Sequence, residues 1–393
     1  MKDDFFTDLE SELTSKDTDI DDMSGVSEED LSVPQLQKDF KKPVNIPKSD
    51  NIDEDDEDDD DSSSFWHNNV PPFVFPKTRP QHFPPLENGT TRITTIWWHQ
   101  EVGKNMSMIE YDKEILLIDC GIQFPENNML GAKYSLPDIS PIIPMRDRIV
   151  WILITHGHLD HIGGLKHVLP MLGFPNIYAT KLTIGLIKKQ LEESWIIWKA
   201  NIFEVNPDKD GIFQVGKFKI EFFRENHNIP DACWVYIETP NFKMVHTWDF
   251  KFDFTPSIDQ PANLSKIGEI GSRWIDLLMS DSTNSMREWF TQTEADIWES
   301  LHKVISEAKW RVIVATFSSL IWRMQQIIES AEKTWRSVYL NWRSMVENAR
   351  IGRELGFIKC KPGTIKRLTN KIDNVADNEV LIITTWSQWE EMS

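Results

Sequence analysis

The sequence predicts a layered α/β fold, and three features carry that prediction. Residues 148–155, RIVWILIT, form an almost unbroken apolar run, the pattern of a strand buried on both faces. From about residue 91, short apolar runs alternate with stretches of helical spacing, as in a sheet covered by helices. The alternation restarts near residue 291, which divides the ordered part into two α/β units.

Taken in order, TRITTI and SMIEYDKEILLID read as strands, the second folded on itself at a polar turn and ending in Asp119-Cys120-Gly121. RIVWILIT follows, then HIGGLKHVLPML with the spacing of one helix. NIYAT is a strand, KLTIGLIKKQLEE a helix, and FKIEFFRE, WVYIETP, FKMVHT and IDLLMS are further strands. The second unit reads as helix (TEADIWESLHKVISEA), strand (RVIVATF), helix (LIWRMQQIIESAEK), strand (SVYL), helix and a last strand, EVLIITT.

Residues 1–88 are of another kind. Nine consecutive acids, Asp53 to Asp61, lead into three serines and a proline-rich stretch, a composition that leaves a chain disordered. Residues 1–61 hold 23 acids against 6 lysines, so they carry −17 of the formal net charge of −20. The ordered part is therefore almost neutral, and the acidic balance does not argue against a nucleic-acid substrate. The tail reads first as a solvated segment, with docking of protein partners through FF and SFWHNN as the alternative. Three separated cysteines argue against a cysteine-built zinc site and favour a reducing compartment. No run approaches the 18 apolar residues of a membrane span, so the sequence reads as a soluble, cytoplasmic protein.

The densest chemistry is THGHLDHIGG (155–164), three imidazoles and a carboxylate where a buried strand turns into a helix. His156 and His158 point the same way from an extended segment, while Asp160 and His161 open the helix and face a second point. That suits two neighbouring divalent ions better than one, with donors suited to zinc and manganese as the alternative. The remaining ligands must come from strand ends at the same edge: His227 in RENHNIPDA, Asp249 in HTWDF and Asp119 in LIDCG. Asp119 fits better as a residue that orients a ligand histidine. His167 and His246 read as packing residues. A pair of ions lowers the pKa of a bridging water and clamps the oxygens of an in-line displacement. At this level a phosphodiester, an amide and a thioester all remain open as substrates.

The same residues carry a resemblance. THGHLDHIGG resembles the signature of the metallo-β-lactamase fold. EVGKNM, LIDCGIQFP, ENHNIPDA, HTWDFKFDFTP, SDSTNS and ATFSSLIWRMQQII look like ribonuclease J of the β-CASP branch, in order over about residues 91–393. The resemblance implies an αββα sandwich over 89–290 and an incomplete inserted α/β β-CASP domain over 291–393, after the tail. It implies that His156, His158, His227 and Asp249 hold one zinc, that Asp160 and His161 hold the other, and that Asp249 bridges them. Asp281 matches the first acidic motif of the branch. Ser318, Ser319 and Leu320, beside Arg323, fall where the inserted domain contacts RNA. The implied activity is endonucleolytic and 5′-to-3′ exonucleolytic cleavage of single-stranded RNA with 5′-monophosphate ends, in RNA maturation and mRNA decay. A homodimer or higher oligomer is implied as well.

Two departures from the family stand out. Its members continue well past a segment like TTWSQWEEMS and supply another ligand histidine there, so the chain reads as a fragment. The second is tryptophan, which stands where the family pattern has glycine at 97, 98, 234, 248, 274, 289, 298, 310, 335, 342, 386 and 389. An indole cannot replace a glycine needed for close approach or for a positive φ. One cause covers all of them: a UGA codon decoded as glycine in the source and written as Trp on conventional translation. Glycine at 17 of 393 residues is about 4%, below the usual ~7%.

Three functions follow for comparison: the zinc-dependent ribonuclease, a thioester or lactone hydrolase of the same fold, and an inactive copy that binds RNA without cutting. The second α/β unit argues against the small-molecule hydrolase, and the missing histidine favours the inactive copy.

Overall fold

The computed structural model describes residues 83–96, 103–124, 132–256 and 258–385. Most of the expected tail, residues 1–82, and the Trp positions 97, 98, 386 and 389 lie outside the described residues.

Six strands form the first sheet in sequence order: β1 (Thr91–Thr95), β2 (Ser107–Tyr111), β3 (Glu114–Ile118), β4 (Ile149–Leu153), β5 (Asn176–Ala179) and β6 (Ile202–Glu204). The first three are antiparallel, and β3 to β6 run parallel. The second sheet comprises β7 (Phe213–Val215), β8 (Phe218–Arg224), β9 (Cys233–Thr239), β10 (Phe242–Trp248) and β11 (Leu277–Ser280), antiparallel except for the parallel β10–β11 pair. A third, all-parallel sheet has the order β12 (Val312–Ala315), β15 (Val380–Thr384), β13 (Ser337–Leu340), β14 (Ile365–Arg367).

The apolar run of β4 shows why the layers stack. Leu153 packs into the core between the first two sheets, with Leu116, Phe218, Phe222 and Val235. Its neighbours Ile152 and Ile154 face the other way, against Leu165, Leu169, Leu182 and Ile187. Those residues belong to α2 (Leu165–Leu172) and α3 (Lys181–Glu193), which follow the short α1 (Leu159–Ile162). On the outer face of the second sheet, α4 (Leu264–Gly271) buries Ile270 against Phe223, Trp234 and Val245. The order helix, sheet, sheet, helix is the expected αββα sandwich. Each buried aliphatic side chain of β4 stabilises it by about 1.5–3 kcal/mol. Helices α5 (Glu294–Glu307), α6 (Ile321–Lys333) and α7 (Arg343–Glu354) accompany the third sheet, with Met324 and Ile328 in one core with Val338 and Leu381.

Several elements differ from the sequence reading. HIGGLKHVLPML is two helices rather than one, α1 and α2, separated at Gly163 and Gly164. A Cβ at Gly164 would lie 2.8 Å from the Gly121 carbonyl oxygen, so the chain can pass the end of β3 only as glycine. Strands β6, β7 and β14, three residues each, and helix α4 were not expected.

Eleven non-glycine residues among those described have positive φ, and six are tryptophans: Trp195, Trp248, Trp274, Trp289, Trp335 and Trp342. Two of these end helices. α3 closes with Ile196 N–H donating to Leu191 O and Trp195 N–H donating to Glu192 O, and α6 with Arg336 N–H donating to Ala331 O. The same turn ends α2 (Phe174 N–H to Leu169 O) and α7 (Phe357 N–H to Gly352 O), where the left-handed residues include Gly173 and Gly356.

Candidate metal centre

The edge at which β3, β4, β8 and β10 end carries the chemistry. Asp119 follows β3, the His156–His161 segment follows β4, His227 follows β8 and Asp249 follows β10. His158 is the residue before α1, so Asp160 and His161 lie in the helix's only turn. Asn226 and Lys251 form a backbone bridge, with Lys251 N–H donating to Asn226 O at 2.8 Å, which holds the His227 and Asp249 segments side by side.

Two donor groups result: His156, His158, His227 and Asp249 in one, and Asp160, His161 and Asp249 in the other. Within each, the donor atoms lie within 4.8 Å of one another. His158 Nδ1 stands 3.1 Å from His156 Nε2 and 3.2 Å from His227 Nε2. Nitrogens bound tetrahedrally at about 2.0–2.1 Å from a zinc ion would be about 3.3 Å apart, so these spacings fit an ion held by the three histidines. Asp249 turns Oδ2 toward His227 Nε2 at 3.7 Å and Oδ1 toward His161 Nε2 at 3.8 Å, one oxygen to each group.

Electrostatics separates the two groups. Burial lowers the pKa of His156, His158 and His227, and the neighbouring imidazoles add to it, to about 3 for His158 and about 4 for His227. They are neutral at pH 7, as ligands must be. Burial also opposes a charge on His161, but Asp160 and Asp119 on either side outweigh it and raise its pKa well above the usual value. The Asp160 carboxyl is correspondingly lowered: burial would raise it, and His161 prevails. Asp249 is lowered too, His161 and His227 overcoming its burial.

Behind the donors, His161 Nδ1 meets Asp119 Oδ2 at 2.8 Å, both side chains fully buried. Burial pushes the Asp119 carboxyl up, while His161 and Thr155 pull it back. Thr155 donates through N and Oγ1 to Asp119, and its Oγ1 lies 3.1 Å from His156 Nδ1. Asn105 Nδ2 sits 3.0 Å from His161 Nε2. Neither Thr155 nor Asn105 was singled out from sequence, although both lie within quoted motifs, THGHLDHIGG and EVGKNM.

The remaining expectations fall elsewhere. Asp281 follows β11, takes a hydrogen bond from Thr283 and belongs to neither donor group. Ser318, Ser319 and Leu320 form the half-buried turn before α6, where Asn348 donates to Ser318 O. Arg323 pairs with Glu294 at 3.2 Å. His167 bonds to the Tyr134 hydroxyl, and His246 is buried against the Trp248 ring. Trp248, at φ +44, stands edge-on to His161 with 5.5 Å between ring centroids.

Comparison with known proteins bears on the family of the chain. The family model described as ribonuclease J, beta-CASP domain, matches residues 309–393, and that of the metallo-beta-lactamase superfamily matches 100–227. Ribonuclease J 1 of Streptococcus pyogenes is 40% identical over 293 residues, 75% of this chain and 51% of that protein. The chain belongs to the ribonuclease J family. Ribonuclease J of Thermus thermophilus is also 40% identical, over 75% of this chain and 52% of its own length. The chain thus spans about half the length of the curated relatives it matches. A crystal structure of a protein of unknown function from Enterococcus faecalis shares the fold, at a TM-score of 0.52 and 16% identity over 76% of this chain and 77% of that one. Among the described residues, no helix is long and apolar enough to cross a membrane.

Proposed function

We propose that the chain carries the metal centre of a ribonuclease that hydrolyses RNA phosphodiesters, by endonucleolytic and 5′-to-3′ exonucleolytic cleavage of single-stranded RNA with a 5′-monophosphate end. The observation that carries this reading is Asp249, whose two carboxylate oxygens face separate donor groups 3.7 and 3.8 Å away. A carboxylate so placed would offer one oxygen to an ion at each group. His156, His158, His227 and Asp249 would hold one, and Asp160, His161 and Asp249 the other, with zinc favoured by the donors and manganese the alternative. When bound, such a pair supplies Lewis acidity for attack at phosphorus.

The chain's own residues then have distinct tasks. Asp119 accepts from His161 Nδ1–H and fixes which nitrogen faces the ion. Thr155 holds Asp119 and His156 together. Ser318, Ser319 and Leu320 supply RNA contacts from the turn before α6, with Arg323 behind them. The three-residue group offers fewer donors than the four-residue group, so its ion would be the more readily exchanged.

Zinc content by mass spectrometry, together with cleavage of a 5′-monophosphorylated RNA oligomer, tests this reading. Bound metal with RNA cleavage is expected. Metal uptake with hydrolysis of a thioester or lactone but not of RNA would favour the small-molecule reading. RNA binding with neither metal nor cleavage would favour the inactive copy.

A further inference from the structure

The segment that follows Asp249 does more than end a strand. Lys251 lies two residues beyond it and places its ammonium 2.7 Å from Glu294 Oε1 and 3.3 Å from Asp253 Oδ2. Glu294 is the first residue of α5, and its backbone N–H donates to Asp253 Oδ2 at 2.9 Å. Thr293, the N-cap of α5, donates its hydroxyl to Asp253 Oδ1 at 2.6 Å. Asp253 thus caps α5 from the loop after Asp249, satisfying the Glu294 N–H, which the helix cannot satisfy itself. On the other side, Glu294 Oε2 takes hydrogen bonds from Arg323 and Gln326 of α6. The side chains of Lys251, Asp253 and Glu294 are 13%, 1% and 12% exposed, so the charges are strong partners and costly to leave alone.

We propose that Lys251, Asp253 and Glu294 are positioning residues that lock the His227 and Asp249 segments against α5 and α6, so that placement of these helices sets the metal geometry. The Lys251 backbone bridge to Asn226 completes the path to His227. The inference rests on the metal-site reading above. Such outer partners alter metal affinity by about 10–100-fold.

Calorimetric titration of the full chain with zinc tests it, on variants whose folding is checked by circular dichroism. Lys251→Met and Glu294→Gln are expected to lower affinity at least about tenfold, and Lys251→Arg, which keeps the cation, to restore most of it. Glu294→Gln keeps its shape and serves should Lys251→Met fail to fold. Unchanged affinity in a folded Lys251→Met or Glu294→Gln variant overturns the inference alone. An unmodified chain that takes up no zinc overturns both the inference and the metal-site reading.

A separate observation, the backbone at tryptophan, carries a second proposal. Four helices end in the same turn, and two place glycine in its left-handed position while α3 and α6 place Trp195 and Trp335 there. Those indoles are 82% and 87% exposed, so no burial offsets the disfavoured φ. Trp274 and Trp289 are equally exposed at positive φ, and Trp195 was not among the positions suspected from sequence. We infer that glycine is the residue of the working protein at 195, 248, 274, 289, 335 and 342. Trp151 is the opposite case, stacked on Tyr178 with ring centroids 3.9 Å apart and with no positive φ. Peptide masses of the protein from its source cells are expected to show glycine at the six positions and tryptophan at 151. Tryptophan at the six would overturn the inference. In the recombinant chain, Trp335→Gly and Trp195→Gly are expected to raise the thermal midpoint, and a fall in both would count against it.

Discussion

The donors at the strand ends and the turn before α6 are built in opposite ways. His156 and His161 are buried, and each is held on its far side by Thr155 or Asp119. Ser318, Ser319 and Leu320 are half-buried, fixed mainly by backbone bonds and one donor from Asn348. The first region is held by buried side-chain partners, whereas the second is held mainly by its own backbone. Under the proposed function, ligand atoms that must be in register fall in the first, and the proposed contacts with an RNA strand fall in the second.

The largest effect expected from this contrast is at Asp249. Its replacement by Ala removes a donor from both groups, and RNA cleavage should fall about a thousandfold or more, with loss of both ions by metal analysis. Retention of two ions would break the comparison at its centre. Asp119→Asn should be milder, with affinity for the ion at His161 down about 10–100-fold by competition with a chelator.

The pH dependence of zinc binding sharpens the contrast within the centre itself. His161 is raised, hence protonated at neutral pH without metal, and must lose a proton to bind. Affinity at its group should therefore rise about tenfold per pH unit through the neutral range. At the other group, His158 and His227, lowered to about 3 and 4, are already neutral, and affinity should stay flat until the pH falls toward 4. Titrations at several pH values would show one steep and one flat site. The smallest effect is expected of Ser318→Ala and Ser319→Ala, a few-fold rise in KM for RNA at about 1 kcal/mol per lost hydrogen bond, with zinc affinity unchanged.

Much of the metal edge was legible in the sequence because its residues are chemically unusual where they stand. Three histidines and an aspartate in six positions have few uses besides metal, and the run of β4 could be buried only on both faces. The short strands β6, β7 and β14 carry too few residues to show alternation, and α4 contains two glycines that blur its helical spacing. Arg323 shows another limit: sequence placed it beside the turn of Ser318 to Leu320, but only the fold brings Glu294, 29 positions earlier, within 3.2 Å of it. Thr155 and Asn105 stayed hidden because hydroxyl and amide side chains announce no chemistry until an imidazole is found beside them.

The central claim is a pair of ions joined by Asp249. Anomalous diffraction at the zinc edge from crystals of the metal-loaded chain tests it most directly. Two peaks are expected, one among His156, His158 and His227 and one beside Asp160 and His161, with the Asp249 carboxylate between them. A single peak, or two with Asp249 bound to neither, would contradict it.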